Sequence, residues 1–333
     1  MKNIIFSLLA LSAMLGLAAC ETAIDVPAPP HTPRISLLYI LNTDTRDSAV
    51  LGQRQVFVSS SQGVFETKRL TGRTDATVEV QDASGTVIER FQPIANPSPG
   101  TNSYFYYDGY YRPTMGFVAR PGQTYTIRAK VPSLETAESS LTLPATPVIA
   151  SATYTPRTPP RSDPYNSYQQ RVFGHLTLAV ADNAATTDYY IAYARVLDER
   201  GRLWGYLERD NSNNSNDVSN LQRFELSGTG ILYNKSPYAD TNGNGQQLSL
   251  ANDVQGYYNG RYTGNPADIP APAYVEVVVG SLTRDMYLFY QSLGRYNNTG
   301  DNPFAEPAPL FSNIRPGYGL FGGTSATTYR IRL

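Results

Sequence analysis

Beyond residue 33 the apolar residues of this chain recur at every second position, a period that favours strands over helices. Ile35 to Leu41 is an apolar run that suits a buried strand, and Gln55 to Ser59 is another. Thr77 to Gln81 places Val78 and Val80 on one face. The turn Asp82-Ala83-Ser84-Gly85 then leads into Thr86 to Phe91, which predicts a hairpin. Thr114 to Val118 reads as a further strand. The turn Arg120-Pro121-Gly122-Gln123 precedes an alternating stretch, Thr124 to Val131. Short strands at this spacing predict an immunoglobulin-like β-sandwich over 34–146. Pro144 to Pro164 holds six prolines and predicts a boundary. A second, mainly β domain over 147–333 takes strands at Val172–Ala181, Tyr189–Leu197, Leu203–Leu207, Arg223–Leu226, Gln247–Leu250, Tyr274–Leu282 and Thr327–Leu333. One segment breaks the period: Leu282, Met286, Phe289 and Leu293 form the stripe of an amphipathic helix near 283–296. The fold class is therefore all-β with one conspicuous helix, in two β-sandwich-like domains.

The first 33 residues have a different character. Lys2 precedes an apolar run from Ile4 to Leu17, and the small residues Ala18 and Ala19 follow. This is the pattern of a secretory signal peptide, expected over 1–19. The next residue is Cys20, the chain's one cysteine. Leu17-Ala18-Ala19-Cys20 matches the lipobox of bacterial lipoproteins, whose cysteine receives diacylglycerol and usually a further acyl chain such as palmitate. The apolar run is too short for a transmembrane helix. Residues 20–33, with four prolines, read as an extended tether that holds a folded body off a bilayer. Glu21 and Asp25 just behind the cysteine resemble a surface-export signal, which tips the expected outer-membrane location towards the cell surface; as plain linker charges they leave the face open.

Composition narrows the chemistry. The formal charge is -1, and neither half of the chain is strongly basic, which argues against nucleic acid as a partner. With Cys20 acylated, no thiol is left for a disulfide, a metal or nucleophilic attack. Of the two histidines, His31 lies in the tether, and His175 alternates opposite the Leu176, Leu178 and Val180 face, as a surface residue does. Gly-x-Ser-x-Gly, His-Glu-x-x-His and phosphate-binding glycine strings are absent from the sequence. No catalytic residue and no cofactor is assigned. One string, Asp240-Thr241-Asn242-Gly243-Asn244-Gly245, matches the opening of a calcium loop, with oxygen donors Asp240, Asn242 and Asn244. Its twelfth position is Ala251, which has no carboxylate. A plain Asn/Gly turn is the simpler reading.

Tyrosine is over-used, with 25 against a single tryptophan. Its apolar ring and polar tip suit strands and wet interfaces. The cluster Tyr104, Tyr106, Tyr107, Tyr110 and Tyr111 is the candidate contact for a ligand or partner, because alternate residues of a strand face away from the core. Ordinary cross-strand pairing within a tyrosine-rich sheet is the simpler reading.

The tail carries a more specific pattern. Asn302-Pro303-Phe304-Ala305-Glu306-Pro307 is followed by Ser312-Asn313-Ile314 and by Gly317-Tyr318-Gly319-Leu320-Phe321-Gly322-Gly323. With the "VEVQDASGTVI" hairpin and "RPGQTYTIRA", this resembles the Bacteroidota lipoproteins of domain-of-unknown-function family 4249. Tyr318-Gly319-Leu320 stands where an aliphatic-Gly-Ile is more usual. The resemblance implies an accessory or binding subunit beside a TonB-dependent outer-membrane receptor, and brings no catalytic residues. A surface glycan-binding or glycan-degrading lipoprotein is the alternative. Asn313, Gly317, Gly319, Phe321 and Gly322 are read as structural: the glycines allow positive φ or close backbone approach, and Phe321 packs as an anchor.

Overall fold

The apolar alternation builds strands that join in one mixed sheet. A computed structural model describes residues 29–44, 54–63, 66, 70, 72–95, 108–158, 171–210, 224–228, 235–260, 269–300 and 309–333. The lipobox, Tyr104, Tyr106, Tyr107 and the Asn302–Pro307 string lie outside the described residues.

The strands are β1 (Ile35–Asn42), β2 (Val56–Ser60), β3 (Thr77–Asp82), β4 (Val87–Pro93), β5 (Tyr110–Pro113), β6 (Thr124–Lys130), β7 (Ala137–Thr142) and β8 (Val148–Pro156). They continue as β9 (Arg171–Ala181), β10 (Tyr189–Asp198), β11 (Leu203–Arg209), β12 (Tyr238–Ala239), β13 (Leu248–Tyr257), β14 (Pro272–Leu282) and β15 (Tyr318–Arg332). The order across the sheet is β7-β6-β3-β4-β5-β2-β1-β15-β14-β10-β11-β13-β9-β8, with the short β12 beside β10. Helix α1 (Arg284–Gly300) joins β14 towards β15 and is the one α-helix among the described residues. No helix among them is long and apolar enough to cross a membrane.

The sheet turns on β15. Its first half runs parallel to β1, from Ser36 opposite Tyr318 to Asn42 opposite Thr324. Its second half runs antiparallel to β14, from Leu282 opposite Thr324 to Tyr274 opposite Arg332. One strand thus belongs to both halves of the sheet. On the β1 side the strands curl until β7 reaches the chain just before β15: Glu138 and Arg315 exchange backbone hydrogen bonds of 2.8 and 2.9 Å. Residues Pro33–Ser61 and Arg69–Leu333 form one compact unit. In the separate unit of Met1–Thr32 and Gln62–Lys68, Glu66 N–H bonds to Gly63 O at 3.0 Å.

Three clusters of buried side chains follow from this layout. The first draws on β1 to β7 and is completed from the tail by Ile314 and Phe321. The second lies among β8 to β14, around Trp204, Val196 and Val277. The third sits under α1, where Leu282, Met286, Phe289 and Tyr290 cover Ile191, Tyr193, Val278 and Leu320. The expected helical stripe is the buried one. β10 and β14 are covered on both faces, which is why they read as near-continuous apolar runs.

Some expected boundaries differ. Thr114–Val118 is not a strand. The carboxylate of buried Glu89 takes the backbone N–H groups there: Oε1 accepts from Thr114 at 2.9 Å and Met115 at 2.6 Å, and Oε2 from Phe117 at 2.9 Å. Amides satisfied by a side chain need no strand partner. The Pro144–Pro164 stretch contains β8, an edge strand paired along β9 with Pro156 at its end. Edge strands tolerate proline there and carry little apolar alternation. The closing strand starts at Tyr318 instead of Thr327, taking in the glycine-rich motif.

Candidate functional site

The β9–β10 connection and the segment after β12 meet at one end of the sheet. Asp182 follows β9, and Asp188 immediately precedes β10. Between them Asn183 forms an Asx turn, its side-chain oxygen accepting from Ala185 N–H at 3.2 Å. β12 pairs with the start of β10, Tyr189 opposite Ala239, and so brings the next residue, Asp240, beside Asp188. Two hydrogen bonds fix that junction. Asp240 N–H donates to Asp188 O at 3.2 Å, and Asp188 N–H donates to Asp240 Oδ2 at 2.9 Å.

One oxygen from each of Asp182, Asp188 and Asp240 lies within 4.8 Å of the other two. Like charges at that range repel by about 3 kcal/mol per pair at an effective dielectric near 20. Part of this is offset locally. Tyr190 Oη–H and Gly245 N–H both donate to Asp182 at 2.6 Å, and Thr186 Oγ1–H donates to Asp188 at 2.8 Å. Asp240 is fully buried, and its Oδ1 accepts no hydrogen bond. Burial pushes the Asp240 carboxyl above the usual carboxylate range; the Asp188 N–H acts against this, and the Asp182 and Asp188 charges and a shared proton with Asp182 add to it. Burial also raises Tyr190, helped by its bond to Asp182.

The cluster borders a cleft of about 480 Å³. Asp182, Asp188, Thr186 and Tyr190 line one side, and Pro144 to Val148 line another. The Gly243–Gly245 turn packs closely on the β9–β10 connection: a Cβ at Gly245, where φ is +78°, would stand 2.6 Å from Ala184 Cβ.

Of the calcium-loop string, Asp240 is one of the three clustered carboxylates, and Gly245 N–H bonds to another, Asp182. Asn244 is exposed, and the Asn242 side chain is outside the described residues. The companion carboxylates of Asp240 come from another loop, the β9–β10 connection. Asp182 and Asp188 were not singled out by sequence. Their signal, two carboxylates flanking a short turn between strands, is common on surfaces.

The aromatic cluster divides. Tyr111 is fully buried and hydrogen-bonded at its hydroxyl, which accepts from Ala76 N–H and donates to Arg73 O, both at 2.8 Å. It belongs to the core, contrary to the expected exposed role, because alternation along β5 turns it inward. Tyr110 is half-buried, its ring 5.0 Å from that of Phe57. His175 pairs with Asp253 on the neighbouring strand at 2.8 Å, and Arg157 reaches the same carboxylate at 2.6 Å.

The tail residues meet at the β1–β15 junction. Asn313 holds β15 like a neighbouring strand: its Oδ1 accepts from Phe321 N–H, and its Nδ2 donates to Phe321 O, both at 2.9 Å. The same Nδ2 reaches Asp285 Oδ2 in the first turn of α1 at 2.9 Å. Phe321 is fully buried and stacks on Tyr39, with ring centroids 6.0 Å apart. A Cβ at Gly317 would stand 2.5 Å from Ile35 O, and one at Gly322 would press on Met286 at 3.2 Å. Gly319 has φ +111°, and a Cβ there would overlap the Leu37 carbonyl.

Compared with known families, residues 48–330 match the model of a domain of unknown function, DUF4249. No curated protein matches the chain.

Proposed function

The chain belongs to the DUF4249 family of domains of unknown function, and from that premise we propose a lipid-anchored, non-catalytic accessory or binding subunit of the outer membrane. It would work beside a TonB-dependent receptor in a Bacteroidota envelope, on the periplasmic or the cell-surface face, with the surface favoured. The observation that carries this reading is Leu17-Ala18-Ala19-Cys20 behind an apolar run. A single acyl chain gives only marginal membrane binding, at about 0.8 kcal/mol per buried methylene, so the two or three chains of a processed lipoprotein anchor stably. The proline-rich stretch after Cys20 supplies a spacer between bilayer and sheet. A binding role draws support from the cleft beside Tyr190 and from the half-buried Tyr110. Receptor partnership draws on the resemblance alone.

The test is purification of the tagged full-length chain from native membranes in mild detergent. The reading predicts a TonB-dependent barrel in stoichiometric amount in the same complex. A chain that purifies alone and is retained on polysaccharide would replace this reading with the glycan-binding one.

A further inference from the structure

We propose that Asp182, Asp188 and Asp240 form a calcium site that clamps the β9–β10 connection to the segment after β12. Three carboxylate oxygens within 4.8 Å of one another need a cation or a proton between them. A second observation points to the cation. Asp240 is fully buried, yet its Oδ1 accepts nothing, although buried polar atoms are normally paired. The donors already present serve other oxygens: Asp188 N–H takes Asp240 Oδ2, Thr186 takes Asp188 Oδ2, and Tyr190 and Gly245 take the two oxygens of Asp182. Such bonds fix the orientation of ligating carboxylates and leave their remaining lone pairs for a metal.

The donor set selects the ion. All three side chains offer hard oxygen, and neither histidine nor cysteine belongs to the group. That excludes the preferred sets of zinc and copper. Magnesium demands near-ideal octahedral geometry and gives up water reluctantly, whereas calcium accepts irregular shells of six to eight oxygens. Asp182 and Asp188 also line the cleft, so water from that side completes the shell. The site is not the calcium loop suggested by the 240–245 string. It takes that string's first residue and completes it from the β9–β10 connection.

The experiment uses the full-length chain in detergent, stripped with EDTA, and follows thermal unfolding against CaCl2 or MgCl2. Affinity in the range of extracellular modules, Kd about 10⁻⁴–10⁻³ M, predicts that Tm rises with calcium by about 3 °C at tenfold over Kd. Magnesium at the same concentration gives less. Asp240→Asn keeps the acceptor for Asp188 N–H but removes charge. It should leave the metal-free Tm equal to or above that of the parent and abolish the calcium response. Asp188→Asn should abolish it too, so the proposal does not hang on one variant. A calcium response that survives in both variants places the ion elsewhere and overturns the proposal. So does a parent chain whose Tm ignores calcium but rises as pH falls, the signature of a shared proton. Neither result bears on the lipid anchor or the receptor.

Discussion

Gly319→Ala tests the junction on which the sheet turns, and Gly85→Ala supplies the matched control. Both glycines have positive φ, +111° and +83°. A side chain in that region costs roughly 1–2 kcal/mol. Alanine returns about 0.4–1 kcal/mol by restricting the unfolded chain. At Gly85, in the β3–β4 turn, an added Cβ meets nothing within 4 Å, so the net cost is about 1 kcal/mol. At Gly319 the Cβ would stand 2.9 Å from the Leu37 carbonyl carbon and closer still to its oxygen. No rotamer relieves a clash with backbone, and Leu37 is itself buried. β1 must move from β15, opening about two ladder hydrogen bonds worth about 1 kcal/mol each and leaving buried groups unpaired at about 1–3 kcal/mol. With the positive-φ cost of about 1 kcal/mol, the sum is about 4–6 kcal/mol for Gly319→Ala. Urea unfolding of both variants by circular dichroism, at equal m-values, measures the difference. Costs within 1 kcal/mol of each other would refute the account of β15 as a strand wedged against β1.

Other predictions concern buried polar groups. Arg195, Glu276 and Arg330 face one another across β10, β14 and β15, with Glu276 bound by Arg195 and, at 2.8 Å, by Arg330. Glu276→Gln removes the buried carboxylate that Arg195 and Arg330 share and should cost about 3–5 kcal/mol in denaturant unfolding. Burial alone would raise the Glu276 pKa, but the bonds from Arg330 and Arg195 outweigh it and hold the carboxyl low. Its folded pKa being depressed, the stabilisation is full above the unfolded value, about 4.3, and is lost as pH falls through the folded one; a pH series should show that acid loss in the parent and not in Glu276→Gln. Glu89→Gln gives up one of two accepting oxygens and should cost about 1–3 kcal/mol, with hydrogen exchange faster at Thr114–Phe117. Asn313→Ala removes three hydrogen bonds at Phe321 and Asp285, and should cost about 2–3 kcal/mol by the same unfolding assay.

Period-two alternation placed the β3–β4 hairpin, and apolar runs placed β1, β10 and β14, because each has a face, or two, that must be apolar. The Leu282–Leu293 stripe placed α1 for the same reason. What alternation cannot carry is pairing between the ends of the chain. Nothing in Ile35–Asn42 says that its neighbour is the glycine motif of the tail, so the sheet's continuity through β15 was not legible. The glycines pointed to positive φ or close backbone approach, but not to the strand that makes the approach. β8 was hidden by its prolines and its single buried contact row. Thr114–Val118 misled because a distant carboxylate, Glu89, does the work of a strand partner. Tyr111 shows the limit of reading exposure from a cluster: neighbours in sequence, Tyr110 and Tyr111 face opposite ways. The acidic cluster was half legible. Asp240 stood out in its string, while Asp182 and Asp188 reach it only through the pairing of β12 with β10.

The central functional claim rests on Cys20. Mass spectrometry of the amino-terminal peptide, from full-length protein extracted from its native membrane, tests it most directly. The account predicts a mature chain that begins at Cys20 and carries diacylglycerol on its sulfur, with an acyl chain on the new amine. An amino terminus elsewhere, or a Cys20 with a free thiol in the mature chain, would contradict it.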